Sequence, residues 1–177
     1  MRLFIAVNFC EKIKNQIIVL QEQLRDQSLK GNFTRPENLH LTLAFLGETP
    51  EEKIGLIYRI IEEIKTPPLE IYFNRTGCFT HSRKELWWVG ADPKSPGLPF
   101  LQAIQGQLVD LLIKAGLPVD RRSFNAHITL GREIKHSMPI ILDNPAITVR
   151  VDRISLMKSE HIRGLLTYTE IVGFSDN

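Results

Sequence analysis

The sequence has few residues of the kinds that build a disulfide framework or a zinc site. Its two cysteines, Cys10 and Cys78, lie far apart and form no CxxC pair, and none of the five histidines stands at zinc-finger spacing from them. The pattern excludes a disulfide framework and gives no indication of a zinc site. We therefore expect two reduced, buried thiols in a cytoplasmic protein.

A long apolar segment is also missing. The apolar run at residues 3–7 is brief and is followed by polar residues, so it is too short for the core of a signal sequence or for a membrane span. No low-complexity tract or long linker interrupts the chain. Its 177 residues suit one compact domain, or two small lobes that share an interface, and we expect a monomer that does not bind membranes.

The third missing feature is an excess of charge. The formal net charge is only +2, so attraction to nucleic acid requires a local cluster of lysine and arginine rather than the field of the whole molecule. Composition alone therefore does not predict RNA binding.

The hydrophobic pattern predicts strands and helices in alternation, an α+β organisation. Strands are predicted at residues 2–9, 39–46, 69–80, 85–91, from 127 onward, near 147–157 and near 165–174, and helices at 11–27, 50–65 and 98–115. The order of predicted strands and helices in the second half of the chain resembles that in the first half. This predicts a duplicated unit with approximate halves 1–84 and 85–177, between which strands can be exchanged.

A tetrapeptide pattern recurs within this order, as HLTL at residues 40–43 and HITL at residues 127–130. Side chains at i and i+2 of a strand point to the same face, so each tetrad presents an imidazole beside a hydroxyl. If the two halves pack with approximate two-fold symmetry, the faces meet and frame one groove that holds His40, Thr42, His127 and Thr129.

Two histidines and two threonines suit the hydrolysis of a phosphodiester. The reaction needs a base for the entering water and an acid for the leaving oxygen, and histidine serves in both roles near neutral pH. Threonine hydroxyls can hold the non-bridging oxygens and stabilise charge in the transition state. A single histidine is more often structural, but a repeated tetrad at half the chain length favours catalysis.

The segments around the tetrads resemble those of the 2H phosphoesterase superfamily, and within it the RNA 2′,3′-cyclic phosphodiesterases, formerly called 2′-5′ RNA ligases. The matching segments are RLFIAV at 2–7, RPENLHLTLAFLGE at 35–48, LWWVG at 86–90 and FNAHITLGR at 124–132. The likeness covers nearly the whole chain.

The resemblance implies a bilobal, pseudo-two-fold α+β fold in which two antiparallel sheets face a central groove, with helices outside. It implies a reaction without metal or other cofactor, in which the 2′,3′-cyclic phosphate of an RNA or nucleotide opens to a 2′-phosphomonoester. Carried over to this chain, His40 is the proton donor and His127 the proton acceptor.

Two arginines are candidates for substrate binding. Arg132 follows the second tetrad but is out of phase with the catalytic face, so it reaches the groove only if a bulge near Gly131 turns it inward. Arg35 precedes the first tetrad. Further cations could form a basic rim for RNA, namely Arg121, Arg122, Lys158 and Arg163.

The remaining aromatic and histidine residues are expected to have structural or surface positions rather than catalytic roles. Phe45 and Phe124 are also out of phase with their histidines, and we expect them in the core. His81, His136 and His161 lack a threonine partner and are predicted to be surface histidines in turns or loops.

Two other functions stay open at this point. The same groove could join RNA ends through a 2′-5′ bond, the reverse reaction. Alternatively, the protein could be a non-catalytic RNA or nucleotide-binding module, although arginine or lysine would hold phosphate more firmly than two titratable histidines.

Overall fold

Alternating strands and helices assemble into an antiparallel sheet with helices packed on one face. The computed structural model describes residues 1–120 and 122–175, with side chains up to Ile171. The strands are β1 (Arg2–Asn8), β2 (Lys30–Phe33), β3 (His40–Glu48), β4 (Leu69–His81), β5 (Lys84–Ala91), β6 (His127–Lys135), β7 (Ile147–Val151), β8 (Arg153–Ile162) and β9 (Leu165–Ser175). The helices are α1 (Glu11–Asp26), α2 (Ile54–Glu63) and α3 (Leu98–Lys114).

The sheet has two halves that join at a single residue pair. Among the described residues the strand order is β7-β4-β5-β6-β3-β1-β8-β9, and β2 pairs with β6. The central strands β3 and β6 pair only at Leu41 and Ile128. The α+β class is therefore confirmed, and the two expected sheets are halves of one sheet joined at this pair.

Each half of the sheet contains strands from both halves of the chain. The C-terminal hairpin of β8 and β9 pairs with β1, whereas β7 pairs with β4. The predicted single strand near 147–157 is wrong, because Asp152 separates two strands that lie in opposite halves. Both strands are rich in buried residues, so hydrophobic pattern alone does not reveal the break.

The apolar residues of both tetrads lie in the core. Leu41 and Ile128 are fully buried, and they pack in one cluster with residues of α1 and α3 such as Ile17 and Leu101. Burial of each such side chain contributes roughly 1.5–3 kcal/mol. Because side chains alternate along a strand, the histidines and threonines project from the opposite, helix-free face.

Three local expectations differ from the structure. Residues 30–33, for which no strand was predicted, form β2. Helix α2 begins only after a short 3₁₀ turn and ends at Glu63. Cys10 is exposed at the start of α1, so the prediction that it is buried is wrong. None of the helices in the described part of the chain is long and apolar enough to cross a membrane.

Candidate active site

The register of β3 against β6 brings the two tetrads together. Leu41 and Ile128 are antiparallel partners, so His40 lies across from Thr129, and Thr42 lies across from His127. Each histidine therefore faces the threonine of the other strand. The structure thus collects all four residues that the sequence analysis singled out.

Both imidazoles are oriented by the same backbone contact. His40 Nδ1 is 2.7 Å from the carbonyl oxygen of Asn38, and His127 Nδ1 is 2.7 Å from that of Asn125. A carbonyl only accepts, so Nδ1 carries the proton and Nε2 of the neutral ring keeps a lone pair. His40 Nε2 lies 2.8 Å from Thr42 Oγ1, so in this state the hydroxyl donates to the ring.

Aromatic side chains enclose His40. Its ring centroid lies 4.9 Å from that of Phe4 and 5.2 Å from that of Tyr168. Burial is the main cause that lowers the pKa of His40 to about 4. The bond to Asn38 opposes this decrease, and the charge of Arg132 and the proximity of His127 add smaller contributions to it. In the free protein His40 is therefore neutral at pH 7.

His127 lies in a similar but more open setting. Its ring centroid is 5.2 Å from that of Phe79 and 6.4 Å from that of Trp88. Burial lowers the pKa of His127, with further contributions from Arg132 and Arg122. This imidazole is also neutral and ready to accept a proton at Nε2.

A β-bulge lies at the last residue of each tetrad and changes which of the following residues reach the groove. Opposite β1, Ile5 pairs with Ala44 and Ala6 with Thr42, so Leu43 is the extra residue. After it, Phe45 lies on the groove face and is 41% exposed. The prediction that Phe45 belongs to the core is therefore wrong, because the bulge reverses the alternation.

The bulge in β6 brings Arg132 to the groove. Trp88 pairs with Thr129 and Trp87 with Gly131, which leaves Leu130 as the extra residue. The bulge expected near Gly131 is present one residue earlier. Arg132 then lines the same cavity as His40 and Thr129.

A glutamine from a helix holds each bulge. Gln21 of α1 donates from Nε2 to the carbonyl oxygen of Leu130 at 2.7 Å. Gln105 of α3 donates from Nε2 to the carbonyl oxygen of Leu43 at 3.1 Å. Both acceptors are the extra residues of the bulges, so these bonds stabilise the change of phase that turns Arg132 and Phe45 toward the groove. Sequence analysis missed both glutamines, since neither lies near a tetrad in the sequence.

The groove contains a cavity of about 520 Å³ next to His40, within the size range of small-molecule sites. Its lining comprises Asn32, Phe33, Thr34, Arg35, Asn38, His40, Thr129, Arg132, Glu133, His161, Gly164, Leu165, Leu166 and Tyr168. Thr129 connects this cavity to the side on which His127 lies. The cavity therefore offers cations, hydroxyls and an apolar wall beside the histidines.

The hairpin tip between β8 and β9 forms that apolar wall. Asn38 fastens it, because its Nδ2 donates to Leu166 O at 2.8 Å and its Oδ1 accepts from Tyr168 N at 3.1 Å. His161 lies in β8 and lines the cavity, so its prediction as a loop histidine is wrong, although it is exposed as expected. Only the strand exchange brings this hairpin beside the first tetrad.

The cations predicted for a basic rim are mostly paired. Arg35 forms a salt bridge with Glu37, Arg122 with Asp120, and Lys158 with Glu160. Arg163 occupies the β8–β9 turn with a φ of 52°. Arg121 lies outside the described residues. The expected rim is therefore largely neutralised by neighbouring carboxylates.

Comparison with known proteins connects this geometry to a family. The model of the LigT-like phosphoesterase family matches residues 7–88. The RNA 2′,3′-cyclic phosphodiesterase of Archaeoglobus fulgidus is 32% identical over 145 residues, which cover 81% of this chain and 78% of that protein. The chain belongs to the LigT-like phosphoesterase family. The Escherichia coli RNA 2′,3′-cyclic phosphodiesterase is 30% identical over 173 residues, covering 96% of this chain and 93% of the relative.

Solved structures of LigT-like phosphoesterases share the whole fold. Crystal structures of E. coli LigT superpose with TM-scores of 0.85 for the complex with 3′-AMP and 0.80 for the complex with phosphate. Sequence identities are 27% and 26%, and each comparison covers 98% of this chain and at least 96% of LigT. The antiparallel sheet and its helices are thus the fold of the LigT-like family.

Trp88 is a further residue of this LigT-like site that sequence reasoning left open. A Cβ on Gly77 would lie 2.4 Å from the indole of Trp88, and a Cβ on Gly90 would lie 2.6 Å from it. Only glycine at these two positions lets the indole lie flat across its neighbours and approach His127. Phe124 packs against the core, as expected.

Proposed function

We propose that this LigT-like phosphoesterase opens the 2′,3′-cyclic phosphate of an RNA end to a 2′-phosphomonoester. The observation that carries the proposal is the pair of histidines on facing strands, each held at Nδ1 by a carbonyl so that Nε2 is the nitrogen that exchanges protons. In the empty groove Nε2 of His40 accepts a hydrogen bond from Thr42. The relatives named RNA 2′,3′-cyclic phosphodiesterase support the substrate class. E. coli LigT in complex with 3′-AMP supports binding of a nucleotide in this groove.

In the proposed reaction the two histidines take different roles. His127 accepts a proton from water at Nε2 while the water oxygen attacks phosphorus. His40 donates a proton to the 3′ oxygen as the bond between phosphorus and that oxygen breaks, which leaves the phosphate on the 2′ oxygen. The roles are those implied by the resemblance, and they require His40 to be protonated when substrate is bound.

Substrate binding can cause His40 to take up that proton from the solvent. Burial and the charge of Arg132 keep the ring neutral in the empty groove. An anionic phosphate placed beside Arg132 offsets its positive charge and favours the imidazolium, so the pKa of His40 rises in the complex. The acid is then formed only where a phosphate is present.

The other groove residues hold the phosphate. Thr42 and Thr129 donate hydrogen bonds to its non-bridging oxygens, and Arg132 stabilises the charge that develops in the transition state. Arg35, half-buried and paired with Glu37, contacts the nucleotide farther from phosphorus. The proposal includes a monomer in the cytoplasm, and the two free cysteines are compatible with a reducing compartment.

The experiment is hydrolysis of adenosine 2′,3′-cyclic phosphate in the presence of EDTA, with chromatographic separation of the 2′- and 3′-monophosphates. We expect the 2′-monophosphate, and loss of turnover in His40→Ala and His127→Ala. His81→Ala, an exposed histidine at the end of β4, is the matched control. The 3′-monophosphate as product, or undiminished turnover in either site variant, contradicts the proposal.

Addition of an RNA with a 5′-hydroxyl ranks hydrolysis against end joining. We expect hydrolysis to dominate in bulk water. Binding of the cyclic nucleotide without any product indicates a non-catalytic module and also contradicts the proposal.

A further inference from the structure

A second cavity continues from the catalytic one along the same face of the sheet. It measures about 280 Å³ and is lined by Lys30, Gly31, Asn32, Arg83, Lys84, Glu133, Ile134 and Lys135. Asn32 and Glu133 line both cavities. The two spaces are therefore neighbours, and a chain-like ligand can pass from one to the other.

Strand register places the cations of this second cavity in line with Arg132. Asn32 pairs with Arg132, and Lys30 pairs with Lys135. Cross-strand partners share a face, so Lys30, Arg132 and Lys135 project from the groove side. Leu130 and Glu133 are extra residues of bulges, so the path from Thr129 to Lys135 has four regular strand steps and covers about 13 Å at roughly 3.3 Å per residue. The cations of the second cavity therefore continue the line that begins at Thr129 and Arg132.

The charged residues that line the second cavity are mostly positive. Its lining has four cations and one carboxylate, that of Glu133, which pairs with Lys84. In the part of the chain that the structure describes, Lys30, Arg83 and Lys135 make no salt bridge. This differs from Arg122 and Lys158, each of which has an acidic partner.

The register is a further observation that favours an anionic ligand. Lys30 and Lys135 are opposite each other on neighbouring strands, and like charges in that position repel and destabilise the sheet. An anion bound between them removes the repulsion. The β4–β5 turn holds Arg83 above the same space with a φ of 62°, a left-handed conformation that non-glycine residues rarely adopt.

We propose that Lys30, Arg83 and Lys135 bind the phosphodiesters of the RNA nucleotides that precede the cyclic phosphate. The inference rests on the proposed function. A 2′,3′-cyclic phosphate occupies the 3′ terminus, so the rest of the RNA must leave the catalytic cavity in the 5′ direction. The second cavity provides a positively charged exit next to the catalytic cavity, and it makes single-stranded RNA rather than a mononucleotide the preferred substrate.

The kinetic test compares two substrates in one variant. Lys30→Gln/Lys135→Gln removes two exposed cations, and Lys65→Gln/Lys114→Gln removes two exposed cations from the helical side as the matched control. For an RNA pentamer with a 2′,3′-cyclic end, we expect the first variant to raise KM about tenfold at low salt, whereas KM for adenosine 2′,3′-cyclic phosphate changes less than about twofold. Equal effects on both substrates, or equal effects of both variants, overturn the proposal.

A binding test separates this proposal from the proposed function. Fluorescence anisotropy measures the affinity of wild type and both variants for a labelled RNA octamer that ends in a 3′-phosphate, over a series of salt concentrations. Loss of two phosphate contacts should decrease the slope of log K against log salt by about 1.4 in Lys30→Gln/Lys135→Gln only. An unchanged slope overturns the proposal that the second cavity binds RNA phosphates. A decreased slope together with a lack of cyclic phosphodiesterase turnover overturns only the proposed function.

Discussion

The two tetrad strands are built alike and differ in what they present to the groove. In both β3 and β6, the histidine binds the carbonyl two residues earlier, the threonine shares its face, and a bulge follows. In both, a helix glutamine holds the extra residue of the bulge. These matched contacts support the predicted duplication.

The difference lies five residues after each histidine. At that position β3 presents Phe45 and β6 presents Arg132. The matching frame therefore delivers an aromatic ring to one side of the groove and a positive charge to the other. Burial is the main cause of the lowered pKa of both histidines, and Arg132 contributes to the decrease at both, so one side chain acts on the charge state of the whole site. The matching contacts of the two strands thus give the histidines the same geometry, and the difference between Phe45 and Arg132 gives only one side of the groove a positive charge.

The largest expected effect tests whether the two histidines are functionally distinct. Replacement of either by asparagine should reduce kcat about 10³-fold, the scale of general acid or base catalysis. Because an acid must hold its proton and a base must lose it, His40→Asn should lose the alkaline limb of the pH–rate profile and His127→Asn the acid limb. Residual activity is measured with adenosine 2′,3′-cyclic phosphate. Loss of the opposite limbs would reverse the assigned roles.

The next effect concerns the position at which the two strands differ. Arg132→Gln should reduce kcat/KM about 10²-fold because a charge near the phosphate is lost. Phe45→Leu, the matched change on β3, should cost less than about threefold, since it removes no charge or hydrogen bond. Steady-state kinetics on the same substrate provides both values. Similar losses in the two variants would show that Arg132 has no special role.

A smaller effect is expected from the residues that hold the bulges. Gln21→Met and Gln105→Met should each lower the free energy of unfolding by about 1–3 kcal/mol, because side-chain hydrogen bonds to backbone carbonyls are lost. Gln21 bonds the carbonyls of Thr34 and Leu130, and Gln105 bonds that of Leu43. Only Gln21→Met should also reduce kcat/KM, by about tenfold, since it releases the bulge that orients Arg132. Urea unfolding and kinetics are measured on the same preparations. An equal kinetic loss in Gln105→Met would mean that both bulges position catalytic groups.

The smallest expected effect is a shift of the pH profile. The rate rises as His127 loses its proton and falls as His40 loses its own, so lowered pKa values of both in the free enzyme place the optimum of kcat/KM below pH 6.5. Arg132→Gln should move that optimum upward by less than about one unit, because the charge that lowers both pKa values is removed. A downward shift would contradict the electrostatic role of Arg132.

Much of the site could be predicted from the sequence because the four central residues lie in two short segments with a regular strand pattern. The alternation within residues 40–43 and 127–130 determines which side chains face the groove, and the resemblance of the flanking segments indicates the family. Phe45 could not be placed this way, since one extra residue at Leu43 reverses the alternation and nothing in the local pattern marks the bulge. Arg132 could be placed only conditionally, since its inward turn requires a bulge, which Gly131 suggested and the structure has at Leu130.

What the sequence alone determined is the chemistry: two imidazoles beside two hydroxyls on buried strands, in a LigT-like chain. The tertiary structure decided which histidine faces which threonine, and it brought the β8–β9 hairpin and His161 to the first tetrad. It also placed Lys30 opposite Lys135, across about a hundred residues of sequence. The physical reason is that strand pairing joins residues distant along the chain, so register and bulges, which no short pattern encodes, set the shape and charge of the groove.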